Sequence, residues 1–351
     1  MSTPVSNTLH SLRTEPYYLG SDGVVSRVKW TAAPDGQTEI LVADPGTADA
    51  VDILATELSP VILTMIGQIR TDRNYLTIDG LYNPEHPMPW QVGRSAVENL
   101  LNGTATCLLG PVPAGLPEGN LEWPRYVEKI DEILRNVLPM VNKSGFFTRE
   151  DGRPVLKFVH KPFEARDPND VLPMPGVQAG SGVSSTDVNA SKDVSTGDTP
   201  NGATNHAKYN AAHIEALEAL DGDREPEFRT VNVPAHPRIR DAILDLAHTH
   251  MFNPLCAFMH ENRDSPIVPA QYGTVLPGAL VRISFTLSHR LMRRPVNVSH
   301  FTATINEIEV LHRPVAVSMT PDKAQKQKMF LKRRRIDEPT AGRDLRKRTR
   351  N

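Results

Sequence analysis

The chain has 351 residues, 39 % of them hydrophobic, with 30 prolines and two cysteines. That apolar content excludes one continuous packed core over the whole length, and Cys107 and Cys256 cannot build a disulfide framework. The net charge of −2 hides a division: residues 323–351 carry twelve Lys/Arg against three Asp/Glu, and the other 322 residues carry 27 against 38. An acidic body argues against a protein whose whole surface coats duplex DNA. No stretch approaches the eighteen apolar residues of a membrane span. Met1 to Asn7 lacks the basic start and apolar run of a secretory signal, so no secretory route is expected.

In chain order, residues 1–20 read as a flexible arm. Val24 to Trp30 and Glu39 to Ala43 form a hairpin pattern joined by the turn sequence Ala33-Pro-Asp-Gly. Asp49 to Leu58 reads as a short helix. Val61 to Ile69 is a strong strand pattern. It leads through Arg70-Thr-Asp-Arg-Asn74, where Asp72 and Asn74 suit a tight turn, to a second strand at 75–82.

Residues 83–120 are rich in Pro and Gly, with a brief helical pattern from Gly93 to Leu101 and with Cys107 in a loop. Pro124 then opens an amphipathic helix that Pro139 closes, because Val127, Ile130, Ile133, Leu134, Val137 and Leu138 recur at helical spacing. A third strand covers 155–161. Glu164 to Lys208 contains no aromatic residue and is dominated by Gly, Ser, Thr, Asn, Asp and Pro. It cannot bury enough surface to offset its ordering entropy, so 164–208 is expected to be a disordered insertion.

A second helix is expected from Pro237 to Met251, then strands at 279–289 and 301–311. In the first, Val281, Ile283, Phe285 and Leu287 alternate with Arg282, Ser284, Thr286 and Ser288, the pattern of a half-buried strand. In the second the alternation slips by one at Asn306-Glu307, as a β-bulge would make it do. Residues 21–163 and 209–318 thus read as one discontinuous β-rich α+β domain, and 319–351 as a tail.

Five strands with a helix between the third and fourth resemble single-stranded-DNA-binding OB-fold proteins, over 61–82, 155–161 and 237–311. The long insertions at 83–154 and 162–236 depart from a compact OB domain. The resemblance implies a five-stranded antiparallel barrel. Its ligand groove would cross strands 2 and 3, flanked by the loops joining strands 1 to 2 and 4 to 5. Those loops carry Arg70 and Arg73 in one, and His289, Arg290, Arg293 and Arg294 in the other. Tyr75 and Tyr82 are placed to stack on bases, and Lys157 and His160 lie on the third strand. Single-stranded DNA or RNA is then the expected ligand.

The tail adds a second partner. Lys332-Arg333-Arg334-Arg335, ten intervening residues, then Arg346-Lys347-Arg348 is the pattern of a bipartite nuclear import signal, so an import carrier and a nuclear location are expected. Thr320-Pro321-Asp322-Lys323 suits a proline-directed kinase, and phosphate on Thr320 would oppose the positive charge that follows.

Catalytic signals are lacking. No phosphate-binding Gly-rich loop, nucleophile elbow or zinc-protease helix is present, and no enzyme, cofactor or metal is expected. His248, His250, Cys256 and His260 fall within thirteen residues. On a helix, however, residues two apart stand ~200° apart, so His248 and His250 would not face one ion.

Overall fold

The computed structural model describes residues 4–46, 59–80, 82–85, 87–112, 117–137, 142–150, 152–170, 209–294 and 296–314. All of these but Pro314 fall within one compact unit, Met1–Arg313. The fold is α+β and strand-rich. In chain order its strands are β1 (Val28–Ala32), β2 (Thr38–Ala43), β3 (Leu63–Ile69), β4 (Ala105–Gly110), β5 (Asn142–Gly145), β6 (Phe147–Glu150), β7 (Arg153–His160), β8 (Phe163–Ala165), β9 (His250–Phe252), β10 (Ala257–Met259), β11 (Asn262–Pro266), β12 (Leu280–Arg294) and β13 (Val296–His312). The helices are α1 (Pro4–Leu12), α2 (Ala96–Asn102), α3 (Pro117–Arg135), α4 (Ala211–Ala219), α5 (Arg240–Ala247) and the single turn α6 (Tyr272–Val275).

Eleven strands form one mixed sheet, and five of them close a ring in which β3 pairs β4, β4 pairs β7, β7 pairs β13, β13 pairs β12 and β12 pairs β3. Taking the five in chain order, the fourth lies beside the first and the first three are consecutive neighbours, which is a Greek-key order. The β7–β13 contact is parallel, so the ring is mixed instead of antiparallel throughout. Two of its seams are short. Only Gln68↔Gly110 and Ile69↔Leu109 join β3 to β4, and only Ala303↔Phe158 and Thr304↔Val159 join β13 to β7.

The ring's interior is aromatic and close-packed. Phe158 and Phe285 meet edge to face with centroids 5.0 Å apart, and Phe146 lies 5.4 Å from Phe158. Gly67 shows how tightly β3 approaches β4: a Cβ there would stand 2.7 Å from the Leu109 side chain and 2.9 Å from the Gly110 carbonyl oxygen.

The second ring strand is β4, not residues 75–82. Ala105–Gly110 is buried on both faces, so it lacks the alternation that marks a half-exposed strand. Tyr75 instead makes an isolated bridge to Thr106, and the Asn74 side chain accepts from the Leu76 amide at 2.9 Å to turn the chain away. Leu76, Ile78 and Tyr82 alternate because they are buried against other layers, not because they are paired. Cys107, expected in a loop, is at the centre of β4 and fully buried.

Other boundaries also move. Residues 4–20 are not a loose arm, since α1 buries Val5, Leu9 and Leu12, and Tyr18 and Leu19 are wholly buried. The Tyr18 hydroxyl stands 2.6 Å from that of Tyr126 on α3. α3 begins at Pro117, which leaves Pro124 inside the helix instead of at its start. The helix expected over 237–251 ends at Ala247, and His250 belongs to β9. The bulge is where the alternation slips: Phe285 pairs Ile305 and Ser284 pairs Glu307, leaving Asn306 over.

Residues 164–170, expected within the disordered insertion, are part of the fold; the remainder of that insertion, 171–208, lies outside the described residues, as does the helix expected at 49–58. Arg166 is fully engaged in a buried network. It donates to the Ala247 and Leu220 carbonyls at 2.9 and 3.0 Å and pairs with Asp221 at 2.5 Å. Asp221 also accepts from the Thr230 amide. This network ties the helical segment 209–247 to the strands.

Candidate nucleic-acid interface

Directly paired residues in neighbouring strands project from the same face, so the register shows what the ring presents to solvent. The inward set includes Cys107, Phe158, Ala303 and Phe285. The outward set forms rows. The first runs Tyr75, Thr106, Val159, Thr304, Thr286; the next contains Leu108 beside Lys157, then Thr302, Ser288 and Ile40; the third runs Ser144, His300, Arg290, Thr38; of these Thr106 and Leu108 on β4 are buried and do not reach solvent.

A twin device builds the third row. Gly145, with φ of 93°, lets β5 bend into β6 so close to β13 that a Cβ would sit 2.2 Å from the Phe301 carbonyl oxygen. Phe146 then donates to Phe301 at 2.9 Å and accepts from the Lys157 amide at 2.7 Å, so the bent segment bridges β13 and β7. The bend delivers Ser144, whose hydroxyl lies 3.0 Å from Nδ1 of His300. On the other side Arg290 donates to Gln37 at 2.7 Å, anchored by the β1–β2 turn in which Asp35 accepts from Gln37 and Thr38.

Together these residues line an open groove of about 980 Å³ whose walls are Thr38, Ser144, Ser288, Arg290, Met292 and His300, with Leu291, Arg293, Val296, Val298 and Thr302 completing it. The groove offers hydroxyls, guanidinium groups and exposed apolar surface, the last from Met292 and Val296. Guanidinium groups and hydroxyls suit phosphate oxygens, and apolar surface suits base faces.

Burial holds the Lys157 ammonium below its ordinary value. It also depresses His300, with the positive charge of Lys157 and the neighbouring His289 adding to the effect. His300 is therefore neutral at neutral pH, and Lys157 remains the charge at the floor of the face. At the far end of the same strands Glu309 lies 2.9 Å from both Arg282 and His260, and Glu307 lies 2.8 Å from Arg282.

Of the residues expected from the sequence, Arg290 and Arg293 line this groove, Lys157 lies on the outward row of β7, and Tyr75 is exposed beside β4, outside the groove lining. Arg70 lies alongside, its stem 3.9 Å from where a Cβ on Gly110 would stand, but its guanidinium is held by Asp72 through bonds of 3.0 and 2.9 Å. Arg73 is exposed in the same turn.

Two do not belong. His289 points inward, 5 % exposed, bonded to Glu39 at 2.8 Å and packed on Phe301, because it follows the buried alternation of β12. Tyr82 is buried with Ile78 and Leu100 in a second core cluster and cannot stack on a base. His160 is also buried, and its Nε2 donates to the Asn253 carbonyl at 2.7 Å. The Arg294 side chain lies outside what is described, as do Thr320, Lys332 to Arg335 and Arg346 to Arg348.

Thr38, Ser144, His300 and Thr302 were not anticipated. For the last two the signal was present: Val296, Val298, His300, Thr302 and Thr304 occupy every second position of β13. Trp90, 60 % exposed between exposed Met88 and Val92, was also passed over in a Pro-rich stretch.

As for reactive groups, burial pushes the Cys107 thiol up to about 12, which leaves it an inert core residue. Among the described residues no group of three or more His, Cys, Asp or Glu is placed to hold a metal ion. Nor is any described helix long and apolar enough to cross a membrane. The chain matches no family model, no curated protein and no solved structure.

Proposed function

We propose that this is a nuclear, non-enzymatic protein that binds single-stranded nucleic acid on the outer face of an OB-type barrel. One observation carries the reading. A five-strand Greek-key ring, with α5 between its third and fourth strands, carries Lys157 and Arg290 on the outward rows of β7 and β12, and Tyr75 is exposed beside β4. A partly open five-stranded Greek-key barrel that binds oligonucleotides across its second and third strands is the OB arrangement. Here those strands are β4 and β7, the flanking loops are 70–104 and the β12–β13 tip, and the groove lies against the latter. Backbone phosphates would meet Lys157, Arg290 and Arg293, and Tyr75 would offer a stacking surface. The basic tail supplies the address, engaging an import carrier through residues 332–335 and 346–348.

Fluorescence anisotropy of a labelled oligonucleotide on the full chain tests the reading. Tyr75→Ala is expected to weaken binding by about 1–3 kcal/mol. Lys157→Ala is expected to flatten the salt dependence by about one phosphate contact. Unchanged affinity in both variants would reject the face. That outcome would favour the alternative of an interaction factor that docks proteins, for which the exposed Met88, Trp90 and Val92 are the supporting observation.

A further inference from the structure

We propose that His213 on α4 and His248 at the end of α5 form a binding site for a borderline divalent cation such as Zn²⁺ or Ni²⁺. Their Nε2 atoms lie 3.1 Å apart, and the rings are tilted by 33° with centroids 4.9 Å apart. Metal–imidazole bonds are about 2.0–2.1 Å, so two such bonds whose ends are this far apart subtend about 98° at the ion, between octahedral and tetrahedral angles. The pair is held from both sides. Asn210 caps α4 by accepting from the His213 amide at 2.8 Å, and His248 is completely buried. Tyr209 stacks on His213 at 5.0 Å, and its hydroxyl donates to Asp245, three residues before His248 on α5.

Without metal, one imidazole donates its Nε2 proton and the other accepts it. A cation takes the place of that shared proton, which moves to Nδ1 of the same ring, so both imidazoles stay neutral, bind through Nε2, and no net proton is released. No third His, Cys, Asp or Glu among the described residues completes the set, so the site has two protein ligands. The Asp245 carboxylate contributes favourable charge through its place on α5. Neither histidine lines the groove of the nucleic-acid face, so the site is separate from it.

The test uses the untagged full chain, stripped with EDTA and titrated with ZnCl₂ and, separately, NiCl₂ by calorimetry in two buffers of different ionisation enthalpy. One equivalent should bind with the same heat in both buffers, because no net proton is released, and saturating zinc should raise Tm by about 3 °C. His213→Gln should lose both effects, and His312→Gln should keep them. Absence of one-equivalent binding, or binding that survives His213→Gln, overturns the proposal. If His213→Gln itself lowers the metal-free Tm, imidazole proton shifts of the parent decide. Zinc must then move those of His213 and His248, and shifts confined to other histidines refute the site.

Discussion

His160 and His300 make opposite demands on pH. Burial lowers both below the ordinary imidazole value, His160 in the core and His300 on the face. Each is neutral in the folded chain, while the unfolded chain takes up protons near pH 6.5. Stability from these groups is complete above that value and is lost as pH falls through the depressed folded values. The carboxylates of Asp35, Asp72, Glu98 and Asp131 are lowered too, but they titrate in a more acid range. Melting temperatures measured between pH 7 and pH 5 should therefore fall, and more gently in a His160→Gln protein that still folds. Ligand binding runs the other way. Protonating His300 adds a cation beside Lys157, so oligonucleotide affinity should rise as pH drops, and His300→Gln should remove that rise. The tail from 323 to 351 contains no histidine and cannot mimic it.

At the scale of elements, the strands that alternate were legible and the strand that does not was missed. β12 and β13 announce themselves through Val281, Ile283, Phe285 and Leu287 and through the slip at Asn306. β4 is buried on both faces, and six residues of continuous burial within a Pro- and Gly-rich region carry no period to read. The face was legible in part for the same reason. Lys157 lies on the strand where it was expected and Arg290 lies within β12 instead of in a loop, whereas Ser144 arrives through a bend that depends on Gly145 and a parallel pairing between distant segments. His289 was misplaced because a loop was expected where β12 simply continues. Two substitutions test these joints. Gly145→Ala should cost about 2 kcal/mol or more in chemical denaturation and weaken ligand binding, since it both strains the backbone and strikes Phe301. Asp221→Ala leaves Arg166 buried without its carboxylate and should cost about 3–5 kcal/mol.

For the whole molecule, the division of charge organises the account. A body with eleven more acidic than basic residues cannot hold nucleic acid by bulk attraction, so the proposed binding rests on a local arrangement over β7, β13 and β12. The excess of nine basic residues in the tail fits an address better than a general DNA-binding arm. Deleting 323–351 should leave a fluorescent fusion outside nuclei while the face still binds, and Thr320→Glu should weaken import if phosphate there opposes the basic clusters. Nuclear accumulation without the tail would refute that assignment.

The most direct measurement is the salt dependence of single-stranded oligonucleotide binding by residues 1–322, which contain the compact unit and lack the basic clusters. If Lys157, Arg290 and Arg293 each neutralise a phosphate, log K should fall with log salt at a slope of about −2. The combined Tyr75→Ala, Lys157→Ala, Arg290→Ala protein should not bind. Absence of binding by 1–322 at low salt, or binding indifferent to those three changes, would contradict the account.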